Sequence, residues 1–392
     1  MQQTLSAQPR RIESIDFLKG LIMVIMALDH VRDYFHFSAN YFDPADPAHS
    51  SLPVFFTRWI THFCAPGFSF LAGLSACMAG RRKTKAELSG FLLRRGLWLV
   101  FLELTIVNFA WYFDVQFRTF GLLVIWALGI SMIVLAALIY LPRQWILVFS
   151  LVMIFGHNLL DPVHSNGMVW SILHQDNYFQ ITANAGLFVG YPVIPWPAVM
   201  ALGYYFGGLY QPSYDSNKRK RIYNITGASA IVLFLILRFT AVYGDPHAWH
   251  PFDTLTKDII SFLNPAKYPP SLDYLLMTLG GLFLFLGNSE KLKGAMVNFF
   301  SVFGRVPFFY YILHIYLIHL VAMLFAQLSG FGWHLLILPS WIGFVPAMQG
   351  YGFSLWVVYL VWIGIVLFLY PLCRKFDVYK QGHKEKWWLS YL

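Results

Sequence analysis

Apolar segments of about 20 residues recur along the whole chain, and each is long enough to cross the hydrocarbon region of a bilayer. Of the 392 residues, 58% are hydrophobic and only 12% are charged, whereas soluble domains usually carry about a quarter charged residues. The mean hydropathy is +0.56. Backbone polar groups in lipid must be satisfied within the segment, which favours helices. The sequence therefore predicts an all-α, polytopic integral membrane protein.

The apolar segments divide into about ten transmembrane helices. An eleventh span or a re-entrant segment is an alternative for "WHLLILPSWIGF". The predicted spans are 14–36, 53–80, 88–113, 120–140, 144–161, 190–211, 222–243, 271–288, 305–329 and 352–374.

The basic residues lie mainly in alternate loops, as the positive-inside rule expects. Of the long loops assigned outside, only 244–270 carries Lys or Arg, at Lys257 and Lys267. This pattern predicts that both termini are cytoplasmic, and it explains the net charge of +9 without a nucleic-acid partner. The basic residues assigned inside are Arg10, Arg11, Arg81, Arg82, Lys83, Lys85, Arg143, Lys218, Arg219, Lys220, Arg221, Lys291, Lys293, Arg374, Lys375, Lys380, Lys384 and Lys386.

The chain shows no linker, low-complexity segment or internal repeat, so residues 1–392 are predicted to form one transmembrane domain. Its core is about 10–375, followed by a short basic cytoplasmic tail, 375–392. The first apolar segment is too long and too polar for a cleavable signal peptide, and we expect it to stay as a span. The three cysteines match no disulfide or zinc pattern, and no metal site is predicted.

The sixth predicted span combines three prolines with a Gly203-x-x-x-Gly207 pattern. Proline bends helices, and small residues let helices approach closely. We expect a kink near its outer end and close packing beyond it.

Ionisable residues at membrane depth usually face a bundle interior or a wet cavity. By the helical rise, His30 lies about 24 Å beyond Ser14, and His62 lies about 14 Å from Pro53 on an oppositely directed span. The two histidines are therefore predicted to share a depth in the outer half. Their convergence with other polar groups favours a reaction chamber or binding cavity. The other members of this layer are Glu103, Asn108, His157, Arg238, Asp273, His314 and His319.

A second polar group lies toward the cytoplasmic ends of the spans and consists of Lys19, Arg94, Arg95 and Arg305. Each can snorkel to the interface on its own, but together they suit a phosphate-bearing cytoplasmic ligand. Lys19 and His30 are eleven residues apart, which returns to the same helical face with about 20° of offset, about 16 Å along the axis. One face of the first span thus carries a cation at one end and an imidazole at the other.

His30 has carboxylates nearby on its own helix, at Asp29 and Asp33. A carboxylate that orients an imidazole makes it an effective general base for an amine or hydroxyl. The alternative is a polar network that only ties helices together, and the sequence leaves both open.

Four segments resemble bacterial relatives of heparan-α-glucosaminide N-acetyltransferase, within a wider set of transmembrane acyltransferases. They are "SIDFLKGLIMVIMALDH", "FTRWITHFCAPGFSFLAG", "KYPPSLDYLLMTLG" and "FGRVPFFYYILHIYLIHL". The resemblance covers about residues 10–375.

The resemblance implies transfer of an acetyl group from cytoplasmic acetyl-CoA to a sugar or glycan on the extracytoplasmic side. The wider superfamily carries a basic residue ten positions before a functional His, which here reads Lys19-x10-His30. In the glucosaminide enzyme an Asn aligns with His30, and the catalytic His follows in the next loop, where this chain offers His49. The base is thus His30 or His49, and we favour His30. His62 matches an acidic position of that enzyme and is expected only as a site neighbour.

The predicted mechanism places the phosphates of acetyl-CoA near Lys19, Arg94, Arg95 and Arg305. His30, oriented by Asp29 or Asp33, activates the acceptor or relays the acetyl group. Arg58, His62 or His157 stabilise the oxyanion. The residues predicted to contact the acceptor are Arg58, Glu103, His157 and His314. The resemblance further implies a multi-pass protein of the bacterial cytoplasmic membrane and a homodimer.

Two other functions fit the same residues. A transporter or flippase for an amphiphilic sugar or lipid would use His and Asp as a proton relay, and it would have no need of a CoA-shaped cavity. A non-catalytic scaffold would use them as helix contacts.

Overall fold

A computed structural model of the chain describes residues 12–390. The predicted cytoplasmic residues Arg10 and Arg11 lie outside this range. The described part is mostly helical. The helices of its first half are α1 (Glu13–Phe35), α2 (Leu52–Trp59), α3 (Cys64–Gly80), α4 (Lys85–Leu102), α5 (Asn108–Tyr112), α6 (Val124–Leu138), α7 (Arg143–Gly156) and α8 (Met168–His174). Those of its second half are α9 (Trp196–Phe206), α10 (Ser216–Thr240), α11 (Leu255–Phe262), α12 (Leu272–Ser289), α13 (Ala295–Arg305), α14 (Pro307–Leu328) and α15 (Leu355–Gly382).

Short tight turns join some helices into longer rods. The 3₁₀ segment Ile60–Phe63 links α2 to α3, and the π-helical turn Glu103–Val107 links α4 to α5. Six described rods are long and apolar enough to cross a membrane, which establishes a membrane protein. They are Leu52–Gly80, Arg143–Leu160, Ser216–Thr240, Leu272–Ser289, Pro307–Leu328 and Leu355–Gly382. Each of the ten predicted intervals contains helix, and their number as spans stays a prediction.

The first helix lies at the centre of the bundle, where α1 contacts α3, α13, α14 and α15. Its contact with α13 is very close, since a Cβ on Gly20 would lie 1.8 Å from the carbonyl oxygen of Phe300. Because α1 is enclosed on several sides, its polar residues face protein and cavities. This arrangement is the one in which ionisable residues are tolerated at membrane depth.

The proline-rich start of the sixth predicted span is not a kinked helix. α9 begins only at Trp196, with Pro197 in its first turn, because proline lacks an N–H and suits a helix start rather than its interior. The close packing predicted beyond it is confirmed: a Cβ on Gly203 would lie 1.9 Å from the carbonyl oxygen of Phe70 in α3.

A small sheet, which the sequence reading did not foresee, lies between α5 and α9. Its strands are β1 (Thr119–Leu122), β2 (Asn177–Gln180) and β3 (Gly186–Val189), in the order β1-β3-β2. β1 is parallel to β3, with Thr119 opposite Gly186, and β2 is antiparallel to β3. Strands of four residues are at the lower limit of the length at which hydropathy patterns indicate a strand. The sheet carries the chain to Gly190, next to the site described below.

Two further segments differ from the sequence reading. Residues 295–304, predicted to be part of a loop, belong to α13, whose apolar face packs on α1. The segment "WHLLILPSWIGF" forms the 3₁₀ turns Trp333–Leu336 and Ile342–Phe344 instead of an eleventh spanning helix. Pro339 interrupts it, which disfavours a continuous helix.

Candidate active site

Two cavities lie beside α1, one near each end of its polar face. The histidine cavity has a volume of about 440 Å³ and contains His30 in its wall. The lysine cavity has a volume of about 280 Å³ and contains Lys19. The histidine cavity is also lined by Asp29, Arg32, Asp33, Tyr41, Asp43, Arg58, Trp111, Asp176, Phe188, Tyr191, Tyr268 and Trp341, among others.

Val124 and Tyr311 belong to the walls of both cavities, and we call this pair the neck. Val124 is the first residue of α6 and Tyr311 lies in the second turn of α14. Glu103 holds this end of α6, since its Oε2 accepts a hydrogen bond of 2.8 Å from the backbone N–H of Trp126. The two cavities therefore share a wall at the neck and follow one another along α1.

His30 pairs with a histidine from α14. Its Nδ1 lies 2.8 Å from Nε2 of His314, and Nδ1 of His314 lies 3.0 Å from the carbonyl oxygen of Tyr310. A carbonyl can only accept, so His314 carries its proton on Nδ1 and its Nε2 accepts from His30. We therefore assign the proton of neutral His30 to Nδ1. Its Nε2 keeps a lone pair, and His30 lines the cavity.

The carboxylates predicted to orient His30 are hydrogen-bonded elsewhere. Arg32 donates to Asp29 and, at 2.8 Å, to Asp33, while Arg58 donates to Asp29 at 3.0 Å. Guanidinium groups compete for carboxylates better than a neutral imidazole because the hydrogen bonds are charge-assisted. In the structure His314 therefore lies at Nδ1 of His30, while Asp29 and Asp33 accept from the two arginines, and orientation of His30 by a carboxylate stays a prediction.

A third cation completes this charged group. Nζ of Lys267 lies 4.0 Å from Oδ2 of Asp29 and 5.3 Å from the ring centre of Tyr268. Arg58 lies 5.9 Å from the same ring. Burial raises the pKa of the Tyr268 phenol, but Lys267 and Arg58 together lower it below the usual value. Arg32, Arg58 and Lys267 thus lie beside His30 together with Asp29 and Asp33, and Asp43 and Asp176 also line the cavity.

The lysine cavity has cations at its wall and an apolar interior. Lys19 donates to Oγ of Ser75 at 3.4 Å, and Arg95 lies 6.0 Å from the ring centre of Phe91. Lys83, which is not part of the cavity wall, lies 5.7 Å from the centre of the same ring. Most of the remaining wall is apolar, including Leu99, Leu128 and Phe308. The cavity thus has a cationic part suited to phosphates and an apolar part suited to an extended chain.

Two residues predicted to contact phosphates lie outside the lysine cavity. Arg94 is exposed and donates to the carbonyl oxygen of Gly90 at 3.1 Å. Arg305 donates to Oδ2 of Asp377 at 2.7 Å. Adjacent helix positions differ by about 100° in direction, so only one residue of the pair 94–95 can face the cavity.

Five residues predicted near the reaction, His314 among them, lie outside the wall of the histidine cavity. His49 is 66% exposed and pairs with Asp46. His62 is buried with its ring 5.4 Å from that of Tyr274. Nε2 of His157 lies 2.7 Å from the carbonyl oxygen of Pro270. Glu103 accepts a hydrogen bond from the backbone of α6, as described above. Of the residues predicted to contact the acceptor, Arg58 lines the cavity. His314 does not line it but lies within hydrogen-bond distance of His30, which does.

Several residues of the path escaped the sequence reading, among them Val124, Tyr311, Trp341 and Asp176. Val124 and Tyr311 sit in apolar helices where nothing distinguishes them from packing residues. Lys267 did carry a signal, because it is one of two basic residues in the long loops assigned outside. A cation placed against the positive-inside rule has a reason to be there, and here the reason is Asp29.

Within residues 12–390, no group of three His, Cys, Asp or Glu side chains is arranged to hold a metal ion. A family model described as "Heparan-alpha-glucosaminide N-acetyltransferase, catalytic" matches residues 11–244. The matched region contains Lys19, His30, Arg58, Arg95 and Val124, and it ends before α12. No curated protein matches the chain.

Proposed function

This chain belongs to the heparan-alpha-glucosaminide N-acetyltransferase catalytic family, and we propose that it transfers the acetyl group of cytoplasmic acetyl-CoA to a sugar. Membership of the family makes it a membrane acetyltransferase that modifies carbohydrate. The acceptor group is an amine or hydroxyl that enters the histidine cavity from the extracytoplasmic side.

The observation that carries this proposal is that two cavities lie along α1 and share the neck residues Val124 and Tyr311. The lysine cavity offers Lys19 and Arg95 to the phosphates of CoA, and its apolar wall suits the pantetheine arm. The neck admits the thioester to the histidine cavity, where the acceptor binds among aromatic side chains. A transporter or scaffold has no use for two chemically different cavities that share a wall in this way.

His30 acts as the general base. Its Nε2 takes a proton from the acceptor as the acceptor's nitrogen or oxygen attacks the carbonyl carbon of the thioester. The tetrahedral intermediate then expels the CoA sulfur, and the proton passes from His30 to the departing thiolate. His314 holds Nδ1–H of His30 and shares the positive charge that forms on the pair.

The cations Arg58 and Lys267 stabilise the oxyanion. Arg58 lines the histidine cavity, and Lys267 forms an ion pair with Asp29. Preorganised charges in a site with little water are effective because they need no reorganisation during the reaction. The phenol of Tyr268, held between these cations, is a further donor to the oxyanion.

For the orientation, we propose about ten spans with both termini in the cytoplasm. The cationic lysine cavity then opens toward cytoplasmic acetyl-CoA. A multi-pass location in a bacterial cytoplasmic membrane and a homodimer follow from the resemblance described above.

The test uses purified protein in nanodiscs with radiolabelled acetyl-CoA and a panel of amino sugars and neutral sugars. We expect saturable acetyl-CoA binding and transfer to at least one acceptor. His30→Ala should bind acetyl-CoA but lose transfer by about 10²- to 10⁴-fold, whereas the exposed control His49→Ala should match the wild type. Absence of binding, hydrolysis and transfer in the wild type would overturn the proposal. An active His30→Ala protein would assign the base to another residue.

A further inference from the structure

A third cavity shares no wall residue with the histidine and lysine cavities. It has a volume of about 320 Å³, and α7, α9, α10 and α12 line it. We call it the α7–α10 groove. Most of its wall is apolar, with Leu151 from α7, Phe206 from α9, Leu233 from α10 and Leu279 from α12.

The helices that flank the α7–α10 groove present apolar side chains outward. Val152 of α7 is 67% exposed and Val232 of α10 is 55% exposed. In a membrane protein these faces meet lipid tails. The groove therefore opens to hydrocarbon, and its occupant has to be apolar over the length of the groove.

The end of the groove at which α7 and α10 begin is strongly basic. Arg143, the first residue of α7, lies 4.8 Å from the ring centre of Tyr205, which lines the groove. α10 starts with the run Lys218–Arg221, in which Arg219 pairs with Glu290. Lys218 and the groove residue Ser229 are eleven positions apart and share a helical face to within about 20°. Cations thus stand where an apolar groove meets the bilayer surface.

We propose that the α7–α10 groove binds one acyl chain of an anionic phospholipid, whose phosphate contacts Arg143 and Lys218. Basic residues at the ends of membrane helices favour anionic headgroups, and the apolar wall matches an acyl chain along its length. A helix from a second copy is about 10–12 Å across with its side chains. A groove with a volume of about 320 Å³ is too small to hold it. The inference is independent of the acetyl transfer.

The experiment measures lipid retention by native mass spectrometry after delipidated protein is mixed with phosphatidylglycerol or phosphatidylcholine. We expect a phosphatidylglycerol adduct on the wild type that withstands activation better than phosphatidylcholine does. Lys218→Gln should weaken it about fivefold. Ala230→Phe, which fills the groove, should abolish it.

Matched controls test whether the position matters. Lys375→Gln removes an exposed cation from α15, and Val232→Phe adds the same ring to an exposed site on α10. Both should retain the adduct. Equal retention in Ala230→Phe and Val232→Phe would overturn the proposal. It would also be overturned if Ala230→Phe converted a dimer to monomers with no change in lipid, since the groove would then contact a second copy.

Discussion

Nδ1 of His30 lies 2.8 Å from Nε2 of His314, although the two residues are 284 positions apart in the chain. The pair joins α1 to α14 at the wall of the histidine cavity. The backbone of Tyr310 fixes the proton of His314, and His314 fixes that of His30. The tautomer of the α1 histidine is therefore set by a residue that does not line the cavity itself.

Replacing His314 with Leu should lower kcat about 10²-fold, because Nδ1–H of His30 loses its acceptor and the lone pair no longer stays on Nε2. KM for acetyl-CoA should change little. His314→Gln offers a carbonyl oxygen to the same N–H, so it should retain more activity than His314→Leu. Steady-state kinetics over a range of pH measure this. Equal losses in both variants, with equal thermal stability, would show that holding the proton is not the function of His314.

Val124→Trp should close the neck. We expect transfer to fall by at least about tenfold while CoA still binds, since the cations of the lysine cavity are untouched. Calorimetry with CoA and transfer assays on the same sample separate the two effects. Ala137→Trp adds the same side chain at an exposed position of α6 and should transfer normally. Full activity of Val124→Trp would exclude the neck from the route of the acetyl group.

Helix positions and the polar layer of α1 were predictable because hydropathy and helical periodicity are local properties. Lys19 and His30 lie on one face of one helix, and the structure places each in a cavity wall. The partners of these residues were not predictable. Asp29 is as close to His30 in sequence as a residue can be, yet its carboxylate turns to Arg58. The hydrogen-bond partner of such a side chain depends on helices that meet only in the folded bundle.

Arg95→Gln should weaken acetyl-CoA binding about tenfold, because a charge-assisted hydrogen bond to phosphate is lost. Arg94→Gln, at the neighbouring exposed position, should change it little. The same titrations at rising salt should show a shallower dependence for Arg95→Gln than for the wild type. If Arg94→Gln is the more damaging change, the CoA phosphates do not bind at the lysine cavity.

Gly20→Ala should destabilise the protein by about 1–3 kcal/mol, because the new methyl group would overlap the carbonyl oxygen of Phe300 and separate α1 from α13. Transfer activity should fall as well, since α1 carries both Lys19 and His30. Gly364→Ala is the matched control, with no atom within 4 Å of the added Cβ. Thermal unfolding in detergent measures both variants. A stable Gly20→Ala protein would mean that the two helices have room to adjust.

We expect Asp161 to make the free energy of unfolding depend on pH. Its Oδ2 accepts from Asn158 at 2.7 Å and its Oδ1 lies 3.0 Å from Nε2 of His174. Burial raises the pKa of this carboxyl, but the hydrogen bonds from His174 and Asn158 outweigh it and lower the pKa below 3.8. Asn158 also accepts from the backbone N–H of Leu272 at the start of α12, so the pair couples the end of α7 to α12.

The pKa of Asp161 is lower in the folded than in the unfolded protein. Its carboxylate therefore contributes fully to the free energy of unfolding at pH values above the unfolded pKa. This contribution is lost as the pH falls through the folded pKa. Asp161→Asn should therefore lower the unfolding temperature at pH ~7, and the difference from wild type should shrink as the pH is lowered below 3.8. Asp253→Asn, which removes a carboxylate from an exposed ion pair with Lys257, should have little effect throughout. A deficit of Asp161→Asn that is constant with pH would show that its charge is not what stabilises the α7–α12 contact.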